Sequence, residues 1–539
     1  MTTTAHIDSL DAYFWASAAR NGDRPALFVG GCGYSYTKLG LAVVAVADAL
    51  DKSGAAQRVG VLARRGLAAF AGLLGVLASG RSYVPINPKF PAERNRTVIR
   101  LAGLDTVIGN AADLLAFASA LGEPADAPRY LALLGSEQDK YGDEYRAQGI
   151  VAITAEPGTS VAAAQRAANA RLPTEAVAYV MFTSGTTGLP KGVAITHANV
   201  RHYVDTLLSR YAFNARDRFS QTFDLTFDLS VHDMFLCWAS GACLCVLPDS
   251  ALMAPAKFIR DQALTVWFSV PSTVGFMQRL GQLGDAVFPT LRYSLFCGEA
   301  LPVESARAWQ SAAPVSSIDN LYGPTEATIA FTSYRWRGTE QPTELRGGLV
   351  PIGEPLPGLE VAVLDAAHEP VADGEQGELY LGGPQLSPGY LDDPARTAQA
   401  FVSLQLAGKR AARWYRSGDL VCVGTGGQLH FLGRVDHQVK VLGHRVELGE
   451  IEQVVRAASG SSLVAALPWP LNPAGASGIC VFICGSHIDR AAVINACKAA
   501  LPPYMVPGEL HQLETLPLNA NGKIDRNKLH EWLKGNDSD

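Results

Sequence analysis

The sequence predicts an α/β protein in which a large N-terminal body of mostly parallel sheets is followed by a small α+β unit. Short apolar, β-branched runs alternate with Ala- and Leu-rich helical stretches through most of the chain before Gly418. Such alternation indicates βαβ units and parallel sheets. At Gly418–Asp436 the pattern changes to glycine-turned strands, and a mixed α+β pattern follows. We therefore expect two domains, residues 1–435 and residues 436–539.

Individual elements can be assigned along the chain. A strand is expected at Arg58–Ala63 with a helix over Gly66–Ser79, and a second strand at Ala176–Gly185 with a helix in the segment after Lys191. Cys243 and Cys245 lie in an apolar run that is typical of a strand. The remaining expected elements are strands on either side of Gly424–Gly427, a helix at Glu447–Ala458, a strand at Gly478–Gly485, a helix at Arg490–Leu501 and a helix after Asp525.

Composition and charge exclude several classes of protein. The chain has 539 residues, a formal net charge of −6 and a pI near 6.0. It is long enough to bury a large core. An acidic balance of this size gives no electrostatic footprint for non-specific binding of nucleic acid or an anionic membrane. No run approaches the roughly 18 apolar residues that a membrane-spanning helix needs.

Further classes of protein are excluded by the cysteines, the histidines and the N-terminal residues. The nine cysteines show no C-x-x-C spacing, which argues against a zinc ribbon, a dithiol redox motif and a disulfide framework. His437 and His444 are expected to be polar surface residues rather than metal ligands. The first residues lack the charged and apolar regions of a secretory signal. We therefore expect a cytoplasmic enzyme that binds neither nucleic acid nor membrane.

The strongest local signal is a Gly-, Ser- and Thr-rich loop after an apolar strand, in the segment Tyr179–Val193 (YVMFTSGTTGLPKGV). Such a loop lets hydroxyl and backbone N–H donors converge on an anion, and a lysine adds positive charge. The Gly-Lys-[Ser/Thr] ending of a Walker A motif is absent. We interpret the loop as a cradle for a nucleoside triphosphate; the alternative is a polar surface turn. Its candidate donors are Thr183, Ser184, Gly185, Thr186, Thr187, Gly188 and Lys191.

The segment TSGTTGLPKG resembles the signature of the adenylate-forming superfamily, which includes acyl-CoA synthetases, luciferases and the adenylation domains of nonribosomal peptide synthesis. Further motifs follow in the order typical of that family and span nearly the whole chain. They are Tyr83–Pro91 (YVPINPKFP), Phe227–Val231 (FDLSV), Phe296–Glu299 (FCGE), Asn320–Glu326 (NLYGPTE), Tyr415–Asp419 (YRSGD), Gly433–Lys440 (GRVDHQVK), Gly443–Glu450 (GHRVELGE) and Asn521–Asp525 (NGKID).

The resemblance implies a fold and a reaction. The fold is a large N-terminal adenylation domain of stacked sheets and helices with a small mobile C-terminal domain. In the reaction, a carboxylate attacks the α-phosphate of ATP to give an acyl-adenylate and pyrophosphate, and the acyl group is then transferred to a thiol. Because both reactants of the first step are anionic, that step needs positive charge and positioning more than a base.

Several residues match positions that have roles in this family. Lys523 matches the lysine that bridges the carboxylate and the α-phosphate, and Glu326 matches a residue that helps hold Mg²⁺. The structural alternatives are a solvated surface lysine and a helix-start glutamate. Tyr322 is expected to stack on adenine, and Asp419 to accept both ribose hydroxyls. The residues expected to bind ATP are Thr183, Ser184, Gly185, Thr186, Thr187, Gly188, Lys191, Gly298, Glu299, Ala300, Asn320, Leu321, Tyr322, Gly323, Thr325, Asp419, Arg434 and Lys523; those expected to be catalytic are Lys523, Thr183, Lys191 and Glu326.

The resemblance also implies that the small domain rotates between the two steps. Asp436 matches the hinge position, where a few residues absorb a large change in φ and ψ; the alternative is a simple turn residue after a strand. In the first state Lys523 would face the adenylate. In the second state the loop Lys440–Gly443 would take its place and line a tunnel for the incoming thiol.

Asp228 indicates the class of substrate. In amino-acid-activating members of the family the matching aspartate pairs with the α-ammonium group, and acyl- and aryl-CoA ligases lack it because an unpaired buried carboxylate is costly. Asp224 lies in a similar Phe-Asp-Leu segment, but only Asp228 is followed by Ser-Val-x-x-Met-Phe. The alternative is a capped or exposed aspartate. The residues expected to bind the substrate are Asp228, Leu229, His232, Phe268, Leu295, Cys297, Leu321, Ile329 and Ala330.

This set is mostly apolar, carries no second charge and is partly filled by Phe268, so a small neutral amino acid, alanine- or proline-sized, is expected. The motifs resemble those of D-alanine– and L-proline–[carrier protein] ligases. His232 replaces an apolar residue of both and could indicate a polar or β-amino substrate. Apolar pockets separate substrates that differ by one methylene by about 1–3 kcal/mol, so the amino acid stays open.

The resemblance therefore predicts a stand-alone ligase, monomeric or weakly dimeric, in natural-product or nonribosomal peptide biosynthesis. Because the chain ends soon after Lys523, the acceptor would be the phosphopantetheine thiol of a separate, acidic carrier protein. One alternative is an acyl- or aryl-CoA ligase, which Asp228 disfavours. Another is an inactive adenylate-binding scaffold, which should have lost Lys523, Glu326 or Lys191.

Overall fold

The structure, a computed structural model, contains two large mixed sheets, a smaller antiparallel sheet and a C-terminal α+β unit within the residues it describes. The predicted α/β class is confirmed. The described residues are 6–7, 9–122, 127–133, 143–147, 149–153, 172–185, 189–338, 345–406, 410–436, 438–472, 475–485, 488–518 and 524–536.

The first sheet is parallel through its centre and antiparallel at one edge. The helix expected in the segment after Lys191 is observed, but a strand that was not expected, Lys191–Thr196, precedes it and pairs with Val177–Thr183. The helix begins only at His197, where the Thr196 side chain caps it and Asn199 completes a capping box. Within the described ranges its strands, in spatial order, are Gly389–Tyr390, Lys191–Thr196, Val177–Thr183, Ser82–Ile86, Arg58–Leu62, Thr106–Gly109, Arg129–Leu133 and Ile150–Ile153.

The second sheet has the same design, with parallel central strands and antiparallel edges. The predicted strand around Cys243 and Cys245 is confirmed, and both thiols are buried. Its described strands, in spatial order, are Glu354–Pro355, Thr332–Trp336, Ser317–Tyr322, Tyr293–Phe296, Val266–Ser269, Arg218–Gln221, Cys243–Val246, Pro25–Val29 and Cys32–Ser35.

One hydrophobic cluster contains side chains from both large sheets and from the helices between them. The helix Leu67–Ala78 is buried nearly all round: all twelve of its residues are apolar or glycine, and ten of them are buried. The α-helices of the body are Ala12–Asn21, Tyr36–Ser53, Leu67–Ala78, Ala92–Ala102, Ala111–Leu121, Asp143–Ala147, His197–Arg210, Leu229–Ala239, Pro255–Asp261, Pro271–Arg279, Val303–Ala312 and Pro394–Ala400, with 3₁₀ turns at Asp249–Ala251, Thr325–Ala327 and Thr425–Gly427.

The third sheet contains the predicted glycine-turned hairpin. Ala412–Val423 pairs with Leu429–Arg434 across the turn Thr425–Gly427. Gly426 and Gly427 have φ of 75° and 81°, a region that glycine enters without steric cost. Its strands are Glu360–Leu364, Gly377–Gly382, Ala412–Val423, Phe401–Leu404 and Leu429–Arg434; a short pair, His6–Ile7 with Leu172–Pro173, lies outside it.

The residues after Asp436 form two small sheets and helices with hydrophobic clusters of their own. The helix Leu448–Ser459 buries Leu448, Ile451 and Val455, the spacing of one helix face. Every predicted element here is observed, while the boundary at Asp436 stays a prediction. The strands are His444–Glu447, Gln438–Val441, Gly475–Ala476, Leu471–Asn472, Val464–Pro468, Ile479–Cys484 and Glu509–Leu513, and the helices are Leu448–Ser459, Arg490–Ala500, Arg526–Asn536 and the 3₁₀ turn Pro503–Met505.

Among the described helices none is long and apolar enough to cross a bilayer.

This C-terminal unit is docked on the body through buried contacts. Arg94 of the body forms a 2.6 Å ion pair with Glu450, and both side chains are at most 5% exposed. Tyr504 stacks on His444 with ring centroids 3.7 Å apart. His444 was expected at the surface and is instead packed between Tyr504 and Phe227, with its centroid 4.5 Å from that of Phe227. Burial lowers the pKa of His444 to about 3, so its ring is neutral.

Gly443 allows this docking because its backbone lies against Val270. A Cβ atom at Gly443 would stand 2.5 Å from Val270 Cγ1, and φ at Gly443 is +82°. We expect Gly443→Ala to undock the C-terminal unit, measured as faster amide hydrogen exchange around Tyr504 with unchanged exchange in Val464–Pro468. Gly460→Ala is the matched control, because Gly460 has φ +70° and nothing within 4 Å. Equal exchange around Tyr504 in both variants would contradict the steric argument.

Candidate active site

Three segments that follow parallel strands meet in a cavity of about 100 Å³. They are Thr183–Gly185, Cys297–Glu299 and Gly323–Glu326, after the strands that end at Thr183, Phe296 and Tyr322. Ligands of α/β proteins bind at this carboxyl edge of the sheet. Ten of the residues singled out from the sequence line the cavity: Thr183, Ser184, Asp228, Leu229, Gly298, Tyr322, Gly323, Thr325, Asp419 and Arg434.

Glu326 lies beneath this cavity and is fully buried. Lys191 Nζ is 3.0 Å from its Oε1 atom, Tyr390 donates a 2.8 Å hydrogen bond to the same atom, and Arg445 Nη1 donates to Oε2 at 2.8 Å. Burial opposes ionisation of Glu326, yet Arg445 and Lys191 together hold its pKa well below the usual range. The carboxylate is therefore charged, and both of its oxygens accept hydrogen bonds in this arrangement.

A second ion-pair group joins the residues expected at the ribose to the expected hinge. Tyr322 donates its hydroxyl proton to Asp419 Oδ2, and Arg434 Nη1 donates to Asp419 Oδ1 at 2.5 Å. The same guanidinium binds Asp436 through two hydrogen bonds of 2.7 Å. Burial alone would raise the pKa of Asp436, but Arg434 lowers it. The ribose-site candidates and the hinge candidate thus form one connected network.

Asp228 is a buried carboxylate with no partner for one oxygen. It precedes the helix Leu229–Ala239, makes no side-chain capping bond and is 7% exposed. Its Oδ2 atom has no hydrogen-bond partner among the described residues. Asp224, by contrast, accepts hydrogen bonds from Asn87 and Thr226. Burial raises the pKa of Asp228 to about 6, which marks a site suited to an incoming cation.

The side chains expected around the substrate are closed against one another. His232 is fully buried, its ring centroid is 4.0 Å from that of Phe268, and its Nδ1 atom is 2.6 Å from the Tyr203 hydroxyl. Burial lowers the pKa of His232 to about 3. Because exposure of 0–1% leaves no water-sized space against a side chain, the pocket beyond Asp228 is filled by His232, Phe268, Leu295, Cys297, Leu321, Ile329 and Ala330.

Some sequence-predicted residues lie elsewhere. Asn320 is 1% exposed, and its amide donates to the Pro351 carbonyl at 2.8 Å rather than into the cavity. Glu299 accepts a 2.8 Å hydrogen bond from the Ser272 backbone, so it fixes a loop. Ala300 follows Glu299 and is partly exposed. Thr186, Thr187, Gly188, Lys523 and His437 fall outside the described residues.

Two features of the site were not identified from the sequence. Arg445 and Tyr390 complete the Glu326 cluster; Arg445 stands inside the quoted motif GHRVELGE, whereas Tyr390 carries no local signal. A larger cavity of about 1060 Å³ runs from the surface near Lys89 and Arg279 to the small one. The two cavities share Phe227, Leu229 and Gly443. No group of three or more potential metal ligands occurs in the described parts of the chain.

The chain is similar to proteins of a known family. The profile of the AMP-binding enzyme family matches residues 14–391. Syringomycin synthase SyrB1 of Pseudomonas syringae pv. syringae is 32% identical over 515 residues, which cover 92% of this chain and 77% of SyrB1. Several other curated relatives are much longer, and the chain spans 6–39% of their lengths.

Solved structures are similar over nearly the whole chain. The Vibrio cholerae adenylation domain AlmE, in complex with glycyl-adenosine-5'-phosphate, superimposes with a TM-score of 0.88 at 34% identity and 99% coverage of both chains. PA1221, a nonribosomal peptide synthetase protein with adenylation and PCP domains, gives 0.77 at 26% identity, with 98% and 84% of the chains covered. The chain therefore belongs to the AMP-binding enzyme family and is an ATP-using adenylating enzyme of the nonribosomal-peptide-synthetase type.

Proposed function

We propose that this protein activates a small neutral amino acid with ATP and transfers it to the phosphopantetheine thiol of a separate carrier protein. The observation that carries the proposal is the buried, unpartnered Oδ2 atom of Asp228 in the cavity that Thr183, Tyr322 and Asp419 also line. A substrate α-ammonium group would supply the missing cation. An acyl- or aryl-CoA ligase, the alternative, brings no cation and would leave this carboxylate unpaired.

The closed pocket favours the smallest side chains. With His232 and Phe268 in contact and fully buried, glycine fits most easily, alanine needs a small displacement, and proline needs a larger one. The glycyl-adenylate bound to AlmE also supports a substrate with a very small side chain. The residues expected around the substrate beyond Asp228 carry no charged side chain, which supports a neutral amino acid.

In the first step the amino acid carboxylate forms a bond to the α-phosphorus as the bond to pyrophosphate breaks. Thr183 and Ser184 would donate to phosphate oxygens, Tyr322 would lie against adenine, and Asp419 would accept the ribose hydroxyls. Lys523 would neutralise the developing charge in an arrangement with the C-terminal unit rotated away. In the docked arrangement Arg445 stands at Oε2 and Lys191 and Tyr390 at Oε1, so Glu326 is paired with protein cations rather than arranged to hold Mg²⁺.

In the second step the thiol sulfur attacks the acyl carbon, AMP departs with the electron pair of the C–O bond, and the thiol proton goes to solvent. The larger cavity offers the route, since its inner end is Gly443 beside Leu229. Lys440 lines the small cavity in this docked arrangement. Its pKa is lowered by burial, and Asp419 partly offsets that effect. We propose that its ammonium stabilises the departing AMP.

Amino-acid-dependent ATP–pyrophosphate exchange tests the class of substrate. We expect exchange with glycine or alanine, and a loss of at least about 30-fold in Asp228→Ala because one partner of a buried charge pair is removed. Asp224→Asn is the matched control, since Asp224 is already hydrogen-bonded within the protein. Exchange only with fatty or aryl acids, indifferent to Asp228, would instead establish the CoA-ligase alternative.

The same assay has an expected pH dependence. Only the ionised Asp228 attracts an ammonium group, and its pKa is about 6, so kcat/KM for the amino acid should fall about tenfold per unit as pH drops below 6. Asp228→Asn should lose this limb of the profile. A profile that is flat between pH 5 and pH 7 would contradict the assignment of Asp228 to the ammonium group.

Substitution of His232 tests the size limit of the pocket. His232→Ala should raise kcat/KM for serine, valine or proline by about 10-fold or more relative to glycine, because each added methylene is worth about 1–3 kcal/mol. Tyr203→Phe is the control, as it removes the hydroxyl that binds His232 and leaves both rings. An unchanged preference order in His232→Ala would show that other residues set the limit.

Two lysines should separate the two steps. Lys523→Ala should lower exchange by about 10²–10³-fold, the cost of removing one electrostatic contact to a transition state. Lys440→Ala should leave exchange within about 3-fold of the wild type and slow transfer from the preformed adenylate to free pantetheine. If each variant lost ATP–pyrophosphate exchange and transfer to the same extent, the two lysines would not act in separate steps.

A further inference from the structure

The donor set around Glu326 conflicts with the metal expected there. Lys191 Nζ and the Tyr390 hydroxyl both contact Oε1, and Arg445 Nη1 contacts Oε2. Mg²⁺ needs a free carboxylate lone pair in near-ideal octahedral geometry at about 2.0–2.1 Å. A divalent cation at Oε2 would share that oxygen with a guanidinium nitrogen only 2.8 Å away, which like-charge repulsion opposes.

Of these donors, Arg445 comes from the docked C-terminal unit. Lys191 lies on the strand Lys191–Thr196 of the first sheet, and Tyr390 on the neighbouring strand. Both remain beside Glu326 wherever the C-terminal unit stands. Arg445 lies on His444–Glu447, and its carbonyl accepts a 2.8 Å hydrogen bond from the Ser184 hydroxyl. Its contact with Glu326 exists only while the unit is docked.

The rest of the guanidinium is also committed in this arrangement. Its Nε atom donates to Gln438 Oε1 at 2.5 Å, and Gln438 in turn contacts Glu447. Burial alone would lower the pKa of Arg445, but Glu326 raises it well above the usual value, so the guanidinium stays charged. Arg445 therefore has a fixed geometry and a permanent positive charge opposite Oε2.

We propose that Arg445 and the Mg²⁺ of bound Mg·ATP are alternative counter-ions of Glu326, so that the metal and the docked C-terminal unit exclude each other. This rests on the proposed use of ATP, taken here to bind as Mg·ATP. If Mg²⁺ were held at Glu326 before docking, its loss would leave one buried carboxylate oxygen without a counter-ion, and Arg445 would supply that counter-ion on docking. Arg445 is thus a positioning residue that couples the loss of metal to the arrangement for transfer.

The coupling must be reciprocal. Any factor by which docking weakens metal binding is the factor by which the metal weakens docking, because both describe one thermodynamic cycle. Couplings of this kind are typically about 5–150-fold. The docking equilibrium can therefore report the competition without any turnover of substrate.

The test measures amide hydrogen exchange around Tyr504, which is protected by docking, in protein saturated with α,β-methylene-ATP and no amino acid. Exchange is compared with EDTA and with excess MgCl₂. In the wild type we expect Mg²⁺ to lower the docking equilibrium constant by at least about 5-fold relative to the metal-free nucleotide. In Arg445→Gln, docking should be weaker from the start and should no longer respond to Mg²⁺.

Arg94→Gln is the matched control. It removes the other buried ion pair of the interface, Arg94–Glu450, and leaves Glu326 untouched. We expect it to weaken docking while keeping the full response to Mg²⁺. The proposal would be overturned if Mg²⁺ weakened docking in Arg445→Gln as much as in the wild type. It would also be overturned if the metal-free nucleotide alone weakened wild-type docking to the full extent. Thermal unfolding of each variant identifies any that fails to fold, and Arg445→Lys then replaces Arg445→Gln, with a retained response expected.

This outcome is separate from that of the proposed function. The docking measurement contains nucleotide and metal alone, so it does not depend on which amino acid is activated or on the acceptor. A protein that undocks with Mg²⁺ and shows no amino-acid-dependent exchange would refute the substrate proposal and retain the role of Arg445. A protein that shows glycine-dependent ATP–pyrophosphate exchange, but whose docking does not respond to Mg²⁺, would support the substrate proposal and refute the role of Arg445.

Discussion

One buried carboxylate joins the parts of this molecule that must act together. Glu326 follows a strand of the second sheet, Lys191 and Tyr390 belong to the first sheet, and Arg445 belongs to the C-terminal unit. Leaving such a charge without one of its partners costs about 3–5 kcal/mol. The contact between the sheets at the site and the docking of the C-terminal unit therefore both depend on the same two oxygen atoms.

Asp228, a second buried carboxylate in the same region, lies in an environment opposite to that of Glu326. Glu326 is paired with two cations and has a lowered pKa, whereas Asp228 keeps one oxygen without a hydrogen-bond partner and has a pKa of about 6. Environments that push the pKa values of two neighbouring acids apart are typical of sites in which each has a different task. Asp228 destabilises the free protein at neutral pH, because folding moves its charge away from water without a partner. A bound ligand with a positive charge would offset this loss of stability by pairing with Asp228.

Local motifs identified ten of the residues that line the small cavity, and contacts between distant segments bring the others there. Tyr322, Asp419 and Arg434 were identified because short motifs carry them, and the hydrogen bonds that join them could not be predicted from those motifs. Tyr390 was missed because its hydrogen bond to Glu326 spans 64 residues, and nothing in the residues around it signals the partner. The strand Lys191–Thr196 was missed because an apolar segment as short as this one fits a strand or a helix equally, and its pairing with Val177–Thr183 decides between them. His444 was expected at the surface, since its stacking on Tyr504 depends on how two distant segments dock.

The shape of the two cavities gives a physical reason for the order of the steps. Part of the wall of the larger cavity, at Leu442, Gly443 and His444, comes from the C-terminal unit, so the inner end of the thiol route is complete only when that unit is docked. Docking in turn brings Arg445 to Glu326. If the metal must have left first, a thiol reaches the acyl carbon only after pyrophosphate has gone, when the adenylate is the sole electrophile in the site. The sequence of reactions then follows from competition for one carboxylate and needs no separate gate.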